Sequence, residues 1–368
     1  MKVRLGDVCD KASSSIIQKS LEGHEGKYPI YGASGLIKYV DFYQREKPYI
    51  AVVKDGAGIG RVMKLPAYSS VIGTMQYIIP NEKVDINYLV YSMEYMNLAK
   101  YFSGATIPHI YFRDYQKEPL NLPEIKVQKK IGGILSNIEK LIAFRNQELS
   151  KFDQLVKSRF IELFGDPVSN GKFWNLAILQ DVTSKIGSGA TPKGGKSSYQ
   201  KEGIPFIRSM NVHDGVFLSK DLAYLSDKQA KQLENVIVKE NDVLLNITGA
   251  SVARSCIVPK TVIPARVNQH VSIIRCIPKY LNPEFLNKLF LHHRYKNLLL
   301  SLGEAGGATR QAITKSQLEK LQIILPPLTL QNEFADFVQQ VDKSKLAVQK
   351  SLEKLEILKK SLMQQYFG

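Results

Sequence analysis

Along residues 127–164, apolar side chains recur at steps of three, four and seven: Ile138, Ile142, Leu149, Phe152, Val156 and Leu163. The same steps return over 330–367, with Val341, Val348, Leu352, Leu355 and Leu362. A stripe this narrow, kept over several heptads, is the seam of a coiled coil and not the broader face of a core helix. Neither stretch contains proline, and the only interior glycines, Gly132 and Gly133, fall in the first turns. Each therefore predicts a straight helix of roughly 55 Å. Two such helices in one chain can cover each other's seams.

Outside these stretches the pattern shortens. Tyr28-Pro29-Ile30-Tyr31, Ile50-Ala51-Val52-Val53 and Met75 to Ile79 read as short strands, as do Ile204-Pro205-Phe206-Ile207, Val243-Leu244-Leu245 and Val271 to Ile277. Asp85 and Asn282 are placed to cap helices that follow. Leu5-Gly6-Asp7-Val8 and Leu179-Gln180-Asp181-Val182 open the two series. The chain is thus a duplication. Residues 104–165 and 307–368 align without a gap at a constant offset of 203, pairing Gly104-Ala105-Thr106 with Gly307-Ala308-Thr309 and Leu122-Pro123 with Leu325-Pro326. Gln128 pairs with Gln331, and Phe164-Gly165 with Phe367-Gly368. The expected fold is α+β: two globules related by a pseudo-two-fold and separated by a long antiparallel two-helix coiled coil. Its parts are globule 1–123, helix 124–165, globule 166–326 and helix 327–368. The second globule is longer, through an insertion around 185–203.

Charge sharpens the picture. The net charge is +16, with 23 Lys and Arg against 17 Asp and Glu through residue 165 and 27 against 17 beyond it. Both halves are basic, so each is expected to meet a polyanion, with nucleic acid the foremost candidate. The three cysteines, Cys9, Cys256 and Cys276, have no framework spacing, which suggests a reducing compartment. No apolar run approaches a membrane span, so a cytoplasmic protein without membrane contact is expected.

Candidate chemistry is sparse. Gly195-Lys196-Ser197 ends like a phosphate-binding loop, but Ala190 stands where its earlier glycine is required. The six histidines and three cysteines show no metal-ligand spacing, and no nucleophile–base order is defensible. Catalytic, cofactor and metal residues are accordingly expected to be absent. The loops do carry side chains suited to phosphates and base edges. They are Lys54, Arg61, Gln76 and His109 in the first half, and Lys193, Lys196, Arg208, Asn246, Thr248, Arg254, Asn268, Gln269, His270, Arg310 and Gln311 in the second.

The stretch Leu325-Pro326-Pro327-Leu328-Thr329-Leu330-Gln331-Asn332-Glu333-Phe334, its variant from Leu122 to Ile131, Asn246-Ile247-Thr248-Gly249, Val267-Asn268-Gln269-His270 and the two Phe-Gly endings carry a resemblance. Together they resemble the specificity subunit of type I restriction–modification systems. In the first half, Lys54-Asp55-Gly56 replaces the Asn-Ile-Thr-Gly loop, and Thr74-Met75-Gln76 stands near the Asn-Gln-His position. The resemblance implies two target-recognition domains that each read half of a bipartite site on double-stranded DNA, with the helices as a ruler. It also implies docked modification (methyltransferase) subunits, with restriction (translocase and nuclease) subunits added for cleavage. S-adenosylmethionine, ATP and magnesium would then belong to those partners. A stand-alone DNA nuclease or methyltransferase and a basic assembly scaffold are the competing readings.

Overall fold

The computed structural model describes residues 1–104, 108–304 and 311–368. The two long helices form as the apolar spacing predicts, over Ile125–Phe164 and Leu328–Phe367. At 40 residues each, they extend for about 60 Å. By internal contacts the chain divides into two units, 1–148 with 348–368 and 149–347. Each unit thus holds one globule, part of the first long helix and part of the second.

In the first unit, strand Lys2–Arg4 pairs antiparallel with Pro119–Asn121. A four-stranded antiparallel sheet runs in the order Cys9–Ser13, Met75–Pro80, Tyr49–Val53, Val62–Leu65. Beside it, Tyr28–Gly32 pairs antiparallel with Gly35–Val40 and parallel with Ser70–Val71. The second unit repeats this plan. Leu176–Ile178 pairs with Gln322–Ile324, and the four-stranded order is Thr183–Ser188, Val271–Cys276, Val243–Asn246, Ser255–Ile257. Its Ile204–Ile207 again has an antiparallel neighbour, Ala223–Leu225, and a parallel one, Ala265–Val267. Both opening segments are single 3-10 turns, Leu5–Asp7 and Leu179–Val182. Residues 185–188 belong to the strand Thr183–Ser188, so the insertion expected from 185 begins only after it.

The helix caps fall where the sequence places them. Asp85 Oδ1 accepts from the backbone of Asn87 and Tyr88, and Asn282 Oδ1 from Glu284 and Phe285. These caps are in turn held by the paired glutamines. Gln128 Oε1 accepts from Asp85 N at 2.8 Å, while its amide donates to Pro123 O at 2.8 Å and Lys83 O at 3.1 Å. Gln331 makes the same three bonds to Asn282 N (2.9 Å), Pro326 O (2.8 Å) and Tyr280 O (3.2 Å). Both glutamines are buried, so each long helix is clamped to its globule by a fully occupied side chain. Gly132 brings the first helix close to the same cap, since a Cβ there would lie 2.8 Å from Asn87 Cβ.

The helices are not free-standing over their whole length. In the first unit Ile131 and Leu135 enter the globule core with Tyr88 and Leu89, and Leu362, Met363 and Phe367 lie against it. In the second, Phe160 and Phe164 pack with Phe285 and Phe334, with ring centroids 4.8–5.9 Å apart. Elsewhere the seam is as expected: Ile138, Val156, Val341 and Leu352 are buried, and Ile142, Leu149, Phe152, Val348 and Leu355 half-buried. Leu362 is half-buried as well. Arg145, Lys345 and Lys359 also occupy seam positions. Antiparallel pairing holds within each unit, through Lys359 and Glu139 in one and Lys345 with Asp153 and Arg159 with Glu333 in the other. Cys9, Cys256 and Cys276 are free and buried, with thiols pushed up to about 12 by that burial, which leaves them inert. Among the described residues no helix is long and apolar enough to cross a membrane.

Candidate nucleic-acid interface

The loops that follow Tyr49–Val53 and Val243–Asn246 build the same cleft twice. In the first unit, Lys54 N donates to Thr74 O, Gly56 N to Pro108 O and Ile110 N to Lys54 O. In the second, Ile247 N donates to His270 O, Gly249 N to Gln311 O and Ile313 N to Ile247 O. The loops close alike as well, with Val53 N bonded to Arg61 O and Asn246 N to Arg254 O. Asp55 therefore corresponds to Thr248, Gly56 to Gly249, Arg61 to Arg254, Thr74 to His270 and His109 to Ala312. Gly56 and Gly249 have φ of 81° and 73°, a left-handed turn that a side chain would strain. It leaves the loop backbone at the mouth of the cleft.

The linings differ. In the first unit, Asp55 is bonded to Lys54 Nζ at 2.6 Å and to His109 Nδ1. The His109 ring rests on Tyr111 at 4.1 Å, and the Arg113 guanidinium lies over the other ring at 4.7 Å. Burial and the nearby Lys54 ammonium hold the His109 imidazole below its ordinary value, favouring the neutral ring. The open space is lined by Asp55, Gly56, Thr74, Ser103, His109 and Tyr111. In the second unit the corresponding space is lined by Thr248, Ser251, Arg254, His270, Gln311 and Met210, among others. There Thr191 bonds Gln269, Gln269 bonds His270 Nε2 at 3.1 Å, and His270 Nδ1 bonds Thr248 Oγ1.

The structure brings together Lys54 and His109 in one cleft, and Thr248, Arg254, Gln269, His270 and Gln311 around the other. Lys193 and Lys196 are exposed on the basic insertion, and Arg61 is exposed with Nη1 on Ala33 O at 2.7 Å. Arg208 lies over the Tyr199 ring at 5.6 Å and donates to Asp221 O. Three of the expected readers lie inside the fold. Gln76 is buried and accepts from Tyr115 Oη at 2.7 Å. It also aligns with Ser272, because Thr74 takes the place of His270. Asn246 is fully buried and donates to Ser209 O and Val212 O, and Asn268 is buried and accepts from His270 N at 3.1 Å. Each is engaged within the fold, Asn246 and Asn268 at loops and Gln76 with a helix tyrosine. Arg310 lies outside the described residues, as do Ala105, Thr106, Ala308 and Thr309. Sequence reasoning missed Asp55, Tyr111 and Arg113; the offset of 193 between Asp55 and Thr248 was the signal available for the first.

Comparison with known proteins agrees over nearly the whole chain. A family model described as the type I restriction modification DNA specificity domain matches residues 1–152 and 172–358. The type I restriction enzyme MjaVIII specificity subunit of Methanocaldococcus jannaschii is 23% identical over 393 residues, covering 98% of this chain and 90% of that protein. The putative type I specificity subunit S.MpnORF507P of Mycoplasma pneumoniae is 24% identical over 340 residues, covering 90% and 86%. Among solved structures, a type I restriction–modification system S subunit from M. genitalium shares the fold with a TM-score of 0.69 at 14% identity, covering 100% of this chain and 96% of that one.

Proposed function

Because this chain belongs to the type I restriction–modification DNA specificity family, we propose that it reads a bipartite double-stranded DNA target through two modules, residues 1–123 and 166–326. The long helices, 124–165 and 327–368, serve as the ruler between the half-sites. The observation that carries this reading is the cleft built twice by the same backbone bonds with different side chains. One scaffold holds the loop in place, and the lining sets which bases fit. Exposed cations such as Arg61, Arg113, Lys193 and Lys196 hold phosphates and fix register without contributing sequence information.

Methyl transfer and cleavage reside on partner subunits. Modification subunits carry S-adenosylmethionine, and restriction subunits carry ATP and magnesium. Docking uses the outer faces of the long helices, where Leu141, Phe144 and Ile357 stand 49%, 63% and 69% exposed. The chain's own contribution is to choose the DNA sequence on which those partners act.

The test is binding-site selection from a random duplex library by the chain with its modification partner, before and after residues 166–326 are replaced by the equivalent module of a relative. A split consensus in which only one half changes is expected. Recovery of unrelated sequences, or a change in both halves, would overturn the reading.

A further inference from the structure

The residue before the loop glycine differs in hydrogen-bond character between the two clefts. Asp55 is an acceptor only, and its carboxylate is held from two sides by Lys54 and the His109 imidazole. Its side chain is 23% exposed, so the carboxylate stays open to the cleft. At the same position in the second unit stands a hydroxyl. There the chain from Thr191 through Gln269 to His270 delivers a ring N–H to Thr248 Oγ1, which leaves the hydroxyl proton free to point outward. The histidines come from opposite walls, yet each is held through Nδ1 at this one position. The first cleft thus offers a fixed negative acceptor beside the Lys54 ammonium, with the Arg113 guanidinium over the Tyr111 ring of its wall.

A carboxylate in a DNA-facing loop discriminates sharply. Cytosine N4 and adenine N6 present amino protons in the major groove, whereas guanine O6 and thymine O4 present lone pairs at the corresponding places. Facing either oxygen, a partly desolvated carboxylate would meet repulsion with no proton between them.

Resting on the bipartite reading above, we infer that Asp55 is a specificity-determining residue of the first module. It accepts a hydrogen bond from the exocyclic amino group of a cytosine or adenine and excludes guanine and thymine at that position. Thr248 fills the same role in the second module as a hydroxyl, without that exclusion.

The experiment uses the chain with its modification partner and duplex DNA. Selection with the wild type should restrict one position of one half-site to cytosine or adenine. Asp55→Asn keeps the shape and adds an amide donor, so it should admit guanine or thymine there while the other half-site stays unchanged. Placing purine for that adenine, or 2-pyrimidinone for that cytosine, removes the amino group. The loss should be roughly tenfold or more for the wild type, and absent for Asp55→Ala. The inference is overturned if the amino group matters equally to Asp55→Ala, or if the Asp55 variants keep the wild-type preference base for base. A uniform loss for all bases also overturns it, and continued selection at the other half-site reports that the variants fold. Absence of any split consensus in the wild type would instead sink the bipartite reading, and this inference with it.

Discussion

Replacing Gln331 by alanine removes one side chain that satisfies three backbone groups in a buried setting. A neutral hydrogen bond contributes about 1 kcal/mol net, and a buried group left without a partner costs about 1–3 kcal/mol. The bond to Tyr280 O is long at 3.2 Å and contributes least. Water entering the space left by the side chain offsets part of the penalty. The expected loss is about 2–4 kcal/mol, or about 4–16 °C in melting temperature for a unit of this size. Gln331→Glu should be no better, because a carboxylate cannot donate to Pro326 O and adds a buried charge. Guanidinium unfolding followed by helical circular dichroism measures the loss. Gln128→Ala provides the matched measurement, since it breaks the same three bonds in the other unit. If the units unfold separately, each variant should move only its own transition. A loss below about 0.5 kcal/mol for both would refute the clamp.

His292 sets an acid limit on the second unit. Its ring stacks on Phe160 at 5.8 Å, and its Nδ1 is buried without a partner. Burial, and then the neighbouring His293, hold the imidazole below its ordinary value of 6.5. The unfolded chain therefore binds this proton more tightly than the folded one. The contribution to stability is whole above 6.5 and is lost as pH falls through the lowered value. His292→Phe keeps the stacking and should flatten the fall in stability between neutral and mildly acid pH; urea midpoints with an unchanged pH slope would count against this. Deleting one heptad from each long helix shortens the pair by about 10 Å. Site selection should then show a spacer narrower by about three base pairs, and an unchanged spacer would show that the helices are not the ruler.

The long helices were legible because a seam is a local property: each residue three or four along declares its own burial. The repeat was legible for the same reason, since Leu122-Pro123 and Gln128 match Leu325-Pro326 and Gln331 letter for letter. What those glutamines do was not. Their partners Asp85 and Asn282 lie 43 and 49 residues away, and only folding brings the cap to the amide. The burial of the candidate readers was not legible either. Residue type ranks Asn246, Asn268 and Gln76 beside Arg254 as hydrogen-bonding side chains, but burial divides them, and burial is set by strands distant in sequence. Asp55 went unselected because an acid in a basic loop looks unsuited to DNA until the Lys54 ammonium and the His109 imidazole that hold it are seen. Arg145, Lys345 and Lys359 escaped the seam because an apolar count passes over charged residues with long aliphatic stems.

Those charged seam residues make the pairing of the long helices a vernier. A seam of aliphatic residues alone is indifferent to sliding by a whole repeat, since every knob finds another hole. Here Lys345 meets Asp153 and Lys359 meets Glu139. A slip of one repeat in either direction would set Lys345 against Phe160 or Asn146, and Lys359 against Gly132 or Asn146, so both ammonium groups would exchange a carboxylate for water. The graduations are ionic, and within each unit they favour one setting.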